Sequence, residues 1–210
     1  MVDEQNGVIQ NKENGGQDAL PDILPDSDSP TGGKLIMLII AKRPALISVS
    51  RGHYFQGSQG IAFWNLLKEY RIMQIHNGEY EDTCLLRHGY GITDIVKSPG
   101  KYGDEPTEEE YKAGMKKIRS IIKKHKPRIL LFVYRRPLEH FLKAAFDDEP
   151  ELSYGFNAIL EHRFGAKVFL FPMPGAGRDV TDDVIRRVMP ELRMAIERIR
   201  SQHGSIDAAM

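Results

Sequence analysis

The tightest constraint on this chain is an unbroken apolar run, Leu35-Ile36-Met37-Leu38-Ile39-Ile40-Ala41, introduced by Lys34. A strand of that composition offers no polar side to water, so it must be covered on both faces, as a central strand of a parallel sheet is. Two later runs repeat the pattern: Arg128-Ile129-Leu130-Leu131-Phe132-Val133-Tyr134 and Lys167-Val168-Phe169-Leu170-Phe171. Each follows a segment of helical periodicity, and strands alternating with helices predict an α/β fold. The expected architecture is a three-layer α/β/α sandwich with a central, mainly parallel sheet. Its strands fall near 35–40, 129–134 and 167–171, with helices on both faces.

Local signals place the helices. Thr107 followed by Glu108, Glu109 and Glu110 reads as a capping box with acids in the first turn, and Lys123, Lys124 and Lys126 suit the negative end of the helix dipole. Tyr111, Met115, Ile118, Ile121 and Ile122 give that helix an apolar stripe. A closing helix should start near Thr181 and run past Ile199, with Pro190 kinking or dividing it. Residues 1–33 are rich in Asp, Gly, Asn, Gln and Pro and hold too few large apolar groups to offset the entropy of ordering. They are expected to be a disordered acidic tail in which only Ile23 and Leu24 could dock. One domain over 34–201 and a short tail over 202–210 complete the division.

At 210 residues with 41% hydrophobic content, the chain can bury one core and is short for two. No run approaches the roughly 20 apolar residues of a membrane helix, and the acidic, polar start is no secretion signal. A cytoplasmic monomer without membrane contact is expected, associated with the nucleoid if bacterial. Cys84 is the single cysteine, which excludes an internal disulfide and a zinc site of several thiolates, and a small buried core residue is its expected role. The net charge of +0 hides an asymmetry: residues 1–33 carry seven acids and one base, which leaves 28 bases against 22 acids in the remainder. A folded part near +6 permits a polyanionic partner without requiring one.

The loop that leaves the first strand carries the most unusual residues. Ala41-Lys42-Arg43-Pro44-Ala45-Leu46 leads into Arg51-Gly52-His53-Tyr54-Phe55, then Gly57 and Phe63-Trp64-Asn65-Leu66-Leu67. Ligands of α/β sheets bind in the crevice at the carboxyl ends of the strands, where this loop opens. A nucleotide-binding α/β protein is disfavoured, because no Gly-x-Gly-x-x-Gly or Walker-type string follows a strand.

In order and spacing these segments resemble the uracil-DNA glycosylase superfamily, in its mismatch-specific uracil and thymine-DNA glycosylase branch. That branch opens on Gly-Ile-Asn-Pro-Gly-Leu, continues through a Gly-His-His-Tyr or Gly-Phe-Pro-Phe string, and reaches a helix that begins Phe-Trp. The likeness extends through Tyr90-Gly91-Ile92-Thr93-Asp94-Ile95-Val96, Lys126-Pro127-Arg128-Ile129 and Phe171-Pro172-Met173-Pro174-Gly175-Ala176-Gly177-Arg178, roughly residues 34–201 in all. It implies a DNA glycosylase of base-excision repair, free of metal and cofactor, acting on double-stranded DNA with a damaged or mismatched base. Such an enzyme extrudes the nucleotide into a pocket that stacks the base and reads its polar edge.

The resemblance assigns substrate contacts to Ala41, Lys42, Pro44 and Phe55, the last where the family stacks an aromatic ring on the base. Burial beneath the loop is the alternative for Phe55. Pro174, Gly175, Ala176, Gly177 and Arg178 correspond to the loop that approaches DNA, with Arg178 as the wedge that fills the vacated stack; pairing with Asp182 or Asp183 is its alternative. Core packing is expected for Trp64, and a structural hydrogen bond for His53 ahead of a base or phosphate contact.

Arg43 occupies the place of the family's asparagine, which is thought to position the attacking water. A guanidinium has no acceptor and stays protonated, so arginine cannot copy that role. Three readings stay open: Arg43 stabilises the departing base anion while Asp94 or His53 holds water, it binds phosphate in a protein that has lost hydrolysis, or it points to solvent. The competing function is a catalytically impaired, DNA-damage-binding module on the same fold.

Overall fold

The computed structural model describes residues 19–29, 32–101, 103–147 and 149–207; residues 1–18 and 30–31 of the expected tail lie outside that range. Five strands form one sheet: β1 (Met37–Ala41), β2 (Tyr90–Asp94), β3 (Ile129–Phe132), β4 (Gly155–Phe156) and β5 (Lys167–Leu170). Their order is β2-β1-β3-β5-β4, parallel throughout except for the β4 edge, which runs antiparallel to β5. As its composition demands, β1 lies inside the sheet with all five residues buried. It pairs with β2 from Met37↔Tyr90 to Ala41↔Asp94, and with β3 from Met37↔Ile129 to Ile40↔Phe132. Leu35 and Ile36 precede the strand and spend their amides on the His125 and Gly89 carbonyls.

Alternation along the strands builds two cores, one on each face. Met37, Ile39, Leu131 and Phe169 pack with Phe63 and Trp64 of α2 (Ser58–Glu69) and Leu192 of α6 (Asp182–Asp207). Leu38, Ile40, Leu130 and Val168 face Met115 and Ile118 of α3 (Glu108–His125) and Phe141 of α4 (Arg135–Phe146). The result is the three-layer α/β/α arrangement. Two short helices, α1 (Leu46–Arg51) and α5 (Glu161–Phe164), lie in the connections. None of the described helices is long and apolar enough to cross a membrane.

Helix ends follow the local chemistry. The capping box closes in both directions, with the Glu110 amide donating to Thr107 Oγ1 at 3.2 Å and the Thr107 amide to Glu110 Oε2 at 2.9 Å. Pro190 does not divide α6, which runs unbroken to Asp207 and takes in residues 202–207 of the expected C-terminal tail. Val188, Met189 and Leu192 are buried on either side of the proline, and that packing outweighs the one missing amide donor.

The N-terminal boundary also moves. Residues 20–24 pack on the domain, beyond the docking expected of Ile23 and Leu24 alone: Leu20 is buried, and Ile23 exchanges two 3.0 Å backbone hydrogen bonds with Ile92. Strand β2 is an edge with unpaired backbone groups, and this segment covers part of it.

Helix α3 approaches β2's exit loop closely at Gly114, where an added Cβ would stand 2.1 Å from the Ile95 carbonyl oxygen. Backbone cannot yield as a flexible side chain can. Gly114→Ala is expected to lower the unfolding free energy by about 1–3 kcal/mol, the cost of overpacking. Urea denaturation, with a fall in midpoint at unchanged slope, is the check.

Candidate active site

Because β1, β2, β3 and β5 run parallel, their carboxyl ends meet at one end of the sheet, and the loops leaving them enclose a cleft of about 880 Å³. Residues of the 41–57 and 173–178 segments line it together, among them Lys42, Arg43, Pro44, Phe55, Met173 and Ala176. Asp94, Leu20, Gln59, Tyr134 and Tyr154 complete the wall.

Phe55 is half-buried, and its ring packs on Phe63 at 4.8 Å and Trp64 at 5.6 Å between centroids. Its backbone sits at φ 57°, a left-handed conformation that costs a bulky residue energy and needs support from its surroundings. Gly60 supplies that support by leaving room, since a Cβ there would stand 2.2 Å from the Phe55 oxygen. Core contact and cleft lining, alternatives in the sequence, coexist in this one side chain.

His53 has a different task. Its Nδ1 is 2.9 Å from Asp82 Oδ1, its ring stacks on Tyr80 at 3.5 Å, and the other Asp82 oxygen accepts the Tyr54 amide at 2.7 Å. The buried Asp82 carboxylate thus clamps the loop through two consecutive residues, and His53 is not among the residues that line the cleft. Ala41 is likewise absent from the lining, buried at the end of β1, where its carbonyl accepts the Ile95 amide.

The two cations after β1 are drawn toward the segment that precedes α3. Lys42 Nζ donates to the Asp104 carbonyl at 2.8 Å and to Glu105 Oε2 at 3.1 Å. Arg43 donates from Nε to the Ser98 carbonyl, and from one terminal nitrogen to Ser98 Oγ at 2.8 Å and Glu110 Oε1 at 3.2 Å. The Arg43 side chain is only 13% exposed. A solvent-directed arginine is therefore not what the fold contains; the guanidinium ties the first loop to the N-terminus of α3.

Arg178 is exposed and, with Pro174, Gly175 and Gly177, is not among the residues that line the cleft; it has no ion pair among the described residues, and Asp183 pairs with Arg186 instead. The turn beneath it is anchored by a 3.1 Å bond from the Ala176 amide to the Met173 carbonyl. Arg135 holds its far end, pairing with Asp179 at 3.5 Å while donating to the Leu152 carbonyl at 2.7 Å and lying over the Tyr154 ring.

Asp94 ends β2 beside Ala41, with 1% of the residue exposed. Its Oδ2 has no hydrogen-bond partner among the described residues, and the Lys97 ammonium stands 3.8 Å away. Burial pushes its carboxyl up to about 7, against the downward pull of Lys97. An acceptor that is ionised only near neutrality, in the wall of a cleft, is suited to holding a water and taking its proton.

Sequence reasoning missed several lining residues. Tyr134 and Arg135 come within three residues of the end of β3, so the rule that singled out the loop after β1 could have found them. Gln59 accepts from the Tyr134 hydroxyl at 3.4 Å. Tyr154 and Leu20 come from segments without any local signature.

A family model described as the uracil DNA glycosylase superfamily matches residues 32–195 of this chain. A G/U mismatch-specific uracil DNA glycosylase from Schizosaccharomyces pombe (strain 972 / ATCC 24843) is 28% identical over 99 residues, which cover 46% of this chain and 30% of that relative. This chain therefore spans less than a third of the curated relative it matches.

The Asp94 carboxyl also makes a stability statement. Its folded value of about 7 exceeds the ordinary 3.8, so stability is fullest below the ordinary value and is lost as pH rises through 7. The difference is at most about 4 kcal/mol. Asp94→Asn is expected to raise the melting temperature at pH 8 and to leave it nearly unchanged at pH 4, as read by calorimetry.

Proposed function

Because the chain belongs to the uracil DNA glycosylase superfamily, we propose that it is a DNA glycosylase of base-excision repair, hydrolysing the N-glycosidic bond of an extruded uracil-like or mismatched base in double-stranded DNA. One observation carries the reading: a buried carboxylate oxygen of Asp94, unpartnered among the described residues, in the wall of a cleft that the first-motif loop and the 173–178 loop both line.

The extruded base enters the cleft beside Phe55, and the Gln59 amide and the Tyr134 hydroxyl lie where its polar edge can be read. Ionised Asp94 accepts a hydrogen bond from a water on the sugar side. As the bond from C1′ to the base nitrogen lengthens, its electron pair leaves with the base and the sugar acquires oxocarbenium character, which the carboxylate favours electrostatically. The water oxygen then bonds to C1′ and its proton passes to Asp94. Arg43 enters indirectly in this scheme: by binding Ser98 and Glu110 it holds the loop that forms the cleft's rim. Beside the cleft, Gly175 and Gly177 offer backbone amides to phosphates, and Arg178 enters the gap in the base stack. Nothing in this scheme requires a metal, a cofactor or a second copy of the chain.

One feature favours a second reading, a damage-binding module impaired in hydrolysis: the asparagine of the first motif is absent, and the arginine in its place has Nε and one terminal nitrogen engaged and no acceptor to offer.

Labelled duplexes containing G·U, G·T or hypoxanthine mismatches, incubated with protein and cleaved with alkali, separate the two. Excision is expected, with a rate that climbs as pH passes through about 7 and Asp94 ionises. Asp94→Asn should reduce it by about 100-fold or more, the usual worth of a positioned general base. Arg43→Asn restores an acceptor but cuts the ties to Ser98 and Glu110, so a rise in excision would rank the acceptor above the anchored rim and a fall would rank the rim first. Binding of damaged duplex without strand cleavage at any pH selects the damage-binding module. In either case Arg178→Ala should weaken damaged-duplex binding by about 1–3 kcal/mol in a titration at fixed salt.

A further inference from the structure

Behind the cleft, the segment before β1 meets the lysine that faces the same buried carboxylate. Leu20 lines the cleft and is buried. The Pro21 carbonyl accepts the Tyr54 hydroxyl at 3.1 Å. Asp22 inserts its carboxylate between two ammonium groups, Lys97 from the loop after β2 and Lys117 from α3, and accepts the Thr93 hydroxyl at 2.6 Å. Lys97 also donates to the Leu20 carbonyl at 2.9 Å and to the Tyr54 hydroxyl oxygen at 3.1 Å. Two of its contacts thus come from the N-terminal segment, in competition with Asp94 Oδ2 at 3.8 Å.

We propose that residues 20–23 are a working part of the cleft and that Asp22 is a positioning residue for Asp94, holding the Lys97 ammonium off its carboxylate so that Oδ2 stays out of a close ion pair. The significance for catalysis rests on the reading of Asp94 as the base; the geometric claim does not.

The charged and titratable groups around Asp94 are few: Lys97 on its own loop, Tyr54 from the 41–57 segment, Asp22 from the N-terminal segment and Lys117 from α3. Of the two carboxylates, Asp22 is the better partner for Lys97. Burial works to raise its carboxyl, but hydrogen bonds from Lys117, Lys97 and Thr93 outweigh that and hold it below the ordinary carboxylate value. Take Asp22 away, and the nearest anion to Lys97 is Asp94. Closing the 3.8 Å gap to a hydrogen-bonded pair would satisfy Oδ2 and remove it from the cleft's chemistry.

The test is a carboxyl titration of Asp94 by carbon NMR on aspartate-labelled full-length protein, with the signal assigned from Asp94→Asn. Asp22→Asn should lower the Asp94 midpoint by about one pH unit or more, as a newly formed contact with a cation does. In a Lys97→Met background the same change should have much less effect. Equal shifts in the two backgrounds would mean that Asp22 acts only through its own charge, and no shift would mean no coupling; either overturns the proposal. Lys97→Met alone gives up the bond to the Leu20 carbonyl but keeps the burial of Leu20 and the Ile23–Ile92 backbone pair, and it serves if Asp22→Asn does not fold. It should raise the midpoint only slightly, whereas a rise of a full pH unit would place Lys97 on Asp94 already and refute the idea. A parallel pH profile of uracil excision should move with the NMR midpoint. Absence of excision in every variant would remove the catalytic reading of Asp94 and leave the NMR result to decide the role of Asp22.

Discussion

Burial of Met37–Ala41 on both faces governs the rest of the molecule. A strand with no polar side requires a neighbour on each edge and a helical layer above and below, and β2, β3 and the two helical layers supply them. Parallel pairing then sends four strand ends to one side. The Ala41↔Asp94 register puts the loop after β1 and the acid that ends β2 side by side, though 53 residues of sequence separate them. The geometry of the cleft is therefore a consequence of sheet register before it is a property of any loop.

Energy runs in the opposite direction at the site. A buried carboxylate raised to about 7 and a phenylalanine held at φ 57° both cost stability, and each is imposed by better-packed surroundings. Trp64 and Phe63 lie under the strained residue with no exposed surface, and Asp82 fixes the preceding turn through His53 and Tyr54. Histidine and arginine, the two residues most suggestive of chemistry in the first loop, are both engaged in holding it. Arg43 does so with no acceptor to offer, which shifts attention to the acid on the neighbouring strand.

Most of the scaffold was legible because it follows local rules. Three apolar runs marked β1, β3 and β5, and Thr107 with Glu110 marked the start of α3 down to its reciprocal hydrogen bonds. Strand β2 was harder, since Gly91 and Asp94 are poor strand formers and the burial of Thr93 and Asp94 depends on partners. The two-residue β4 carries too little sequence to have any period at all. The segment at 20–24 looked like tail because its composition matches a tail; only the exposed edge of β2 and two lysines distant in sequence give it somewhere to bind.

The sequence by itself determined the layers, the positions of β1, β3 and β5, and the family, since hydrophobic periodicity, capping and motif order are written in neighbouring residues. Which candidate side chains meet, and in what charge state, was decided by tertiary structure alone. His53 and Asp82 lie 29 residues apart, Arg43 and Glu110 67, and Asp22 and Thr93 71. Over such separations the chain imposes no distance, so partners are chosen by sheet register and helix packing, and burial then sets the ionisation of groups such as Asp94.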